Sequence, residues 1–198
     1  MFFMIIKCDD MMVCFLCTLA FLIGAIPTGY LLAQLYGISD IRVFGSGNIG
    51  ASNVGRLLGW KAFVLVFFLD ALKAAGTLWF AQKFSASHET LLIVAFATLL
   101  GNCYSPFLGF NGGKGVATLM GIVGAFSPLL MCCAISIWLS IFSLTHIPAR
   151  ASISTLCVLP FLSYFFMSFS FIFFLVGTFL VVLWRHERNF QFINYVKK

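Results

Sequence analysis

Helix-length apolar runs, separated by short polar breaks, fill the chain from about residue 11 to residue 184, and nothing else in the sequence constrains the fold as tightly. The runs are at or near the ~20 residues that cross a bilayer core, and none shows the alternation of a half-buried strand. Only 9% of the residues are charged and 62% are hydrophobic, whereas a soluble domain carries ~25% charged residues. The expectation is an all-α, polytopic membrane helix bundle. A chain of 198 residues has room for one integral membrane domain, residues 1–198, and for no separate soluble unit.

Seven spans are expected, at about residues 11–36, 60–80, 90–108, 116–126, 128–144, 151–167 and 169–184, with Pro27 kinking the first. The fourth is short for a full crossing. Charge supports this count. With seven spans, Arg42, Arg56, Lys61, Lys114, Arg150, Arg185, Arg188, Lys197 and Lys198 fall on one side of the membrane, and only Lys7 and Lys83 fall opposite. The positive-inside bias then places the N-terminus outside and the C-terminus in the cytoplasm. Asp9 and Asp10 precede the first apolar run where a cleavable signal carries basic residues, so that run is read as a retained helix. The net charge of +6 is scattered between apolar spans, which argues for orientation in a membrane and against nucleic acid.

Against this apolar background two glycine-dense polar runs stand out. Residues 45–56 hold Gly45, Gly47, Gly50 and Gly55 with Ser46, Asn48, Asn53 and Arg56. Such a run turns backbone N–H groups toward one point and adds side-chain donors of the kind that hold a phosphate. Residues 109–118 hold Gly109, Gly112, Gly113 and Gly115 around Lys114. Both runs and the segment Arg185-His186-Glu187-Arg188-Asn189 fall on the same side, so an anion is the expected guest. Asp70 and Lys73 lie three residues apart inside the second span, where charges must pair or line a polar cavity.

Several chemistries are set aside. Gly45 to Gly50 fits G-x-G-x-x-G, but no strand precedes it and the acid about twenty residues on, Asp70, is inside a membrane span. The second run resembles a P-loop, yet Leu108 stands where its first glycine belongs and Gly115 where Ser or Thr belongs. None of the three histidines is followed by the aspartate of the histidine-aspartate acyltransferase motif, and six acidic residues make no carboxylate cluster for a metal. The seven cysteines sit mostly in apolar runs, and Cys14-Phe15-Leu16-Cys17 has no second ligand pair, so neither disulfides nor a metal are expected.

In order along the chain, residues 45–56 followed by Asp70-Ala71-Leu72-Lys73, residues 105–118, and Trp184-Arg185-His186-Glu187-Arg188-Asn189 resemble the motifs of the PlsY family. That family comprises bacterial membrane acyltransferases that move an acyl group from acyl phosphate to glycerol 3-phosphate. The resemblance implies a multi-pass protein of the cell inner membrane with its site facing the cytoplasm, working as a single chain without cofactor or metal. It implies that Ser46, Arg56, Lys114, His186 and Asn189 are active-site residues, and that Gly112, Gly113 and Gly115 form the glycerol-phosphate loop. The chain departs from the family at Asn102, where histidine is usual, at Ser52, where threonine is usual, and in its last residues. An acyl phosphate brings its own leaving group, so such an enzyme mainly aligns the acceptor hydroxyl and stabilises negative charge. The general base stays open, with His186 and the substrate phosphate as candidates. A transporter for a phosphorylated metabolite is the alternative of a different class, but the second half shows no repeat of the first polar run beyond glycine richness. An inert scaffold would leave Lys114 and both glycine runs without a role.

Overall fold

The computed structural model describes residues 8–84 and 86–196, with side chains described for residues 10–84 and 86–187. It is helical, with no strand among the described residues. The first span is broken in two: α1 (Cys8–Ala25) stops before Pro27 and α2 (Thr28–Leu35) restarts it. Proline lacks an N–H, so carbonyls at the break need donors from elsewhere inside a bilayer. Ala25 O accepts from the Ser105 hydroxyl at 2.6 Å, and Ile26 O accepts from Lys73 Nζ at 2.9 Å.

A short helix absent from the sequence reading, α3 (Ala51–Leu58), forms within the first glycine-dense run. The remaining helices are α4 (Trp60–Gln82), α5 (His88–Cys103), α6 (Val116–Phe126), α7 (Pro128–Thr145), α8 (Pro148–Ser163) and α9 (Phe169–Val196). Among the described residues, five segments are long and apolar enough to cross a membrane: Asp10–Leu35, Trp60–Gln82, His88–Leu108, Pro128–Thr145 and Phe169–Glu187. The other two are shorter. Eleven residues of α6 cover only ~16 Å of the ~30 Å hydrocarbon core. Sixteen residues of α8 cover ~24 Å. Of the seven runs expected from the sequence, five therefore correspond to segments of spanning length, the first of them broken in two, and two to shorter helices.

The start of α6 is fixed by the residues just before it, and its end by Ser127-Pro128. The second glycine run folds back against the end of α5, where the Gly113 N–H donates to Asn102 O at 2.8 Å. Gly112 packs so closely on the Asn102 and Cys103 backbone that a Cβ has no room. Gly115 then adopts the left-handed conformation (φ 81°) that caps α6, so α6 starts beside the last turn of α5. It crosses α4 where Gly121 abuts the carbonyl of Ala71, a backbone approach open only to a residue without Cβ.

Two apolar clusters hold this arrangement. The larger one includes Leu16, Leu78, Leu99, Leu119, Ile122, Phe171 and Leu175 and runs through the middle of the bundle. A smaller one, Ala33, Ile41, Ile49, Val54 and Val66, lies under the first glycine run and fixes it to α2 and α4. At the other end of the chain, α9 continues without interruption through Arg185 and His186 to Val196. The segment read from sequence as a tail is helical there, so helix register sets where those two side chains point.

Candidate active site

The first glycine run is shaped by its own amides. Asp40 caps a 3-10 turn by accepting the Arg42 N–H at 2.9 Å, and its carboxylate also takes Arg42 Nε and Nη2 at 2.8–3.1 Å. Arg42 holds that carboxyl below the usual carboxylate range by side-chain and backbone hydrogen bonds. From there Arg42 reaches Leu108 O at 3.4 Å and lies 5.6 Å from the centre of the Tyr30 ring, joining the first polar run to the second.

Asn53, buried to 2% exposure, spends its whole amide on the loop. Its Oδ1 accepts the Ser46 N–H at 2.9 Å, and its Nδ2 donates to Phe44 O at 2.9 Å and Ile41 O at 3.4 Å. Asn48 Oδ1 accepts the Gly50 N–H at 2.8 Å, which sets the turn into α3. The Ser46 hydroxyl has no protein partner among the described residues and lines a cavity.

That cavity measures about 240 Å³ and brings most of the expected residues together. Its polar part is lined by Ser46, Asn48, Ser52 and Arg56 from the first run and α3, by Gly113, Lys114 and Gly115 from the second run, by Asn102 of α5 and by His186 of α9. Its apolar part is lined by Phe63 and Phe67 of α4, Val116, Ala117 and Met120 of α6, Ile135, Trp138 and Leu139 of α7, and the start of α8. Trp138 is steadied there by donating to Ser152 Oγ at 3.0 Å. Gly45, Gly47 and Gly112 do not line the cavity; they give the two runs their shape. Asn189 has no described side chain.

Electrostatics favour an anionic guest. Burial pushes the Lys114 amine down to about 8, and the nearby charges of Arg56 and Arg185 push in the same direction. A dianion entering between these cations relieves that repulsion. His186 is 2% exposed, and its Nδ1 lies 2.8 Å from Val182 O. A carbonyl can only accept, so Nδ1 carries the proton, and in the neutral ring Nε2 holds the lone pair. Among the described residues, no three His, Cys, Asp or Glu side chains are close enough to hold a metal ion.

Three contributors named in the sequence without an assigned role in the site also take part. Arg185 Nη2 donates to Gly112 O at 3.0 Å and Nε to Gly113 O at 3.3 Å, so α9 holds the second glycine run in place. Its position next to His186 was the available signal. Asn102 and Asp70 also stand on the cavity wall. Asp70 pairs with Lys73 at 2.8 Å, as their spacing suggested.

Comparison with known proteins places the chain as a whole. The family model described as glycerol-3-phosphate acyltransferase matches residues 14–194. The glycerol-3-phosphate acyltransferase of Aquifex aeolicus (strain VF5) is 40% identical over 178 residues, covering 88% of this chain and 92% of that protein. The one from Syntrophotalea carbinolica is 41% identical over 177 residues, covering 87% and 89%. The crystal structure of PlsY (YgiH), an integral membrane glycerol 3-phosphate acyltransferase, superposes in its glycerol 3-phosphate form with a TM-score of 0.86 at 35% identity, covering 94% of each chain. Its lysophosphatidic acid form gives 0.84 at 34% identity, covering 94% of this chain and 93% of that one. A match over nearly the whole length, in sequence and in structure, makes this chain an integral membrane member of the glycerol-3-phosphate acyltransferase family.

Proposed function

We propose that the protein transfers a fatty acyl group from acyl phosphate to the 1-hydroxyl of sn-glycerol 3-phosphate, forming 1-acyl-glycerol 3-phosphate and inorganic phosphate. The observation that carries this reading is that one cavity joins a cationic polar part to an apolar part. Arg56 and Lys114 attract the two phosphates, and Ser46 donates to one of them or to the acyl carbonyl oxygen as it gains charge. The apolar part, between α4, α6 and α7, receives the acyl chain. His186, with Nε2 as acceptor, orients a hydroxyl or a protonated phosphate, and Asn189 belongs to the same set by its place in the family motif.

The chemistry needs little more. Oxygen of the acceptor hydroxyl bonds to the acyl carbon, the carbon–oxygen bond to phosphate breaks, and the hydroxyl proton ends on the released phosphate. Holding the two reactants in line supplies most of what the protein must contribute. The distribution of Arg42, Arg56, Lys61, Lys114, Arg150 and Arg185 supports a site facing the cytoplasm.

Purified protein given palmitoyl phosphate and glycerol 3-phosphate, without metal or coenzyme A, should release phosphate and form the acylated product in equal amounts. Product formed only from acyl-coenzyme A would reverse the donor assignment. Uptake of unchanged glycerol 3-phosphate into vesicles would favour a transporter instead.

A further inference from the structure

Asp70 is a cavity-wall side chain that the chemistry above does not use. It is 6% exposed and is the one carboxylate on that wall among the described residues. Within a membrane helix a carboxylate persists only with partners. The Thr28 hydroxyl donates to its Oδ1 at 2.6 Å, and Lys73 Nζ lies 2.8 Å from the same oxygen. Lys73 donates in addition to Ile26 O at 2.9 Å, so the pair is anchored on the break between α1 and α2. Oδ2 receives no donor among the described residues, although the residue lines the cavity. One oxygen is committed to the fold; the other keeps its capacity to accept a hydrogen bond.

Few guests suit that oxygen. A phosphate is repelled by a carboxylate, whereas a neutral hydroxyl can donate to it. Glycerol 3-phosphate carries a phosphate at one end and hydroxyls at the other, so Arg56 and Lys114 on one part of the wall and Asp70 on another orient it. A carboxylate brought up to the acyl carbon would itself compete as a nucleophile, which suits Asp70 to the hydroxyl that does not react.

We propose that Asp70 Oδ2 accepts the hydrogen bond of the non-reacting 2-hydroxyl and thereby selects phosphorylated polyols over analogues that lack it. This rests on the acceptor assigned above. A buried acceptor built for a hydroxyl is left unpaired by an analogue without one, and discrimination is correspondingly large.

The test compares glycerol 3-phosphate with 3-hydroxypropyl phosphate, which lacks only the 2-hydroxyl, using the full-length protein and one acyl phosphate donor. Wild type should favour glycerol 3-phosphate by at least about tenfold in kcat/KM. In Asp70→Asn the preference should shrink to about threefold or less. A ratio is insensitive to a general loss of folded enzyme. Should Asp70→Asn turn over too slowly, the same ratio is read from the two concentrations that raise its Tm half-maximally. An unchanged preference in Asp70→Asn, or no preference in wild type, overturns the role of Asp70. A wild type that acylates neither compound counts instead against the reaction proposed above, and the Tm comparison then still decides for or against Asp70.

Discussion

The guanidinium of Arg185 donates to the carbonyl of Gly112 at 3.0 Å, tying α9 to the glycine run that carries Lys114. A second bond to Gly113 O at 3.3 Å and the face of Tyr104, 5.2 Å away, complete the latch. Bonds from a charged donor contribute about 1.5–3 kcal/mol each, so Arg185→Ala should lower kcat/KM by about 10- to 100-fold. Arg185→Lys, lacking the planar fork, should restore only part of it. Steady-state kinetics, with Tm as the control for folding, measures both.

The buried amine of Lys114, pushed down to about 8, loses its charge within an accessible pH range. Its charged form is the one that draws phosphate. The free-enzyme parameter kcat/KM should therefore be level below about pH 8 and fall about tenfold per unit above it. Bound phosphate favours the ammonium, so the corresponding fall in kcat belongs at higher pH. Lys114→Arg keeps its charge throughout and should move the alkaline limb upward. A limb left in place in that variant assigns it to another group.

Asn53 and Ser46 look alike in sequence, as two polar residues of one glycine run, and the fold separates them. The Asn53 amide is bonded to Ser46 N, Phe44 O and Ile41 O, so Asn53→Ala leaves the buried Ile41 carbonyl and two partly buried backbone groups without that partner. It should cost about 1–3 kcal/mol of stability and lower Tm together with activity. Ser46→Ala should leave Tm within the range of a neutral surface change and remove turnover. Differential scanning fluorimetry beside the phosphate-release assay distinguishes the two outcomes.

Asn53 also marks how far sequence carries. Span positions were legible because long apolar runs have one solution in a bilayer, and the Pro27 break and the Asp70–Lys73 pair followed from local rules. The membrane setting likewise explains why polar residues at 45–56 and 109–118 pointed to a site. What stayed hidden depends on tertiary contact. The short α6 was legible from its flanking Gly115 and Ser127-Pro128, but the return of residues 109–115 onto Asn102, which starts α6 beside α5, comes from backbone packing that no local pattern announces. Arg185 was visible in sequence beside His186, but its hold on the second glycine run depends on α9 running on past Trp184 without a turn. Gly45, Gly47 and Gly112 shape the runs, as glycine in such a run should, and leave the cavity wall to their neighbours.

The central claim is that the acyl group changes hands in the cavity where Lys114 faces Arg56 and His186. Phosphate release from acyl phosphate in the presence of glycerol 3-phosphate, measured for purified wild type and Lys114→Ala at equal concentrations of folded protein, tests it most directly. A fall of about 10²- to 10³-fold or more at unchanged Tm is the expected result. A folded Lys114→Ala protein that releases phosphate at the wild-type rate would contradict the account.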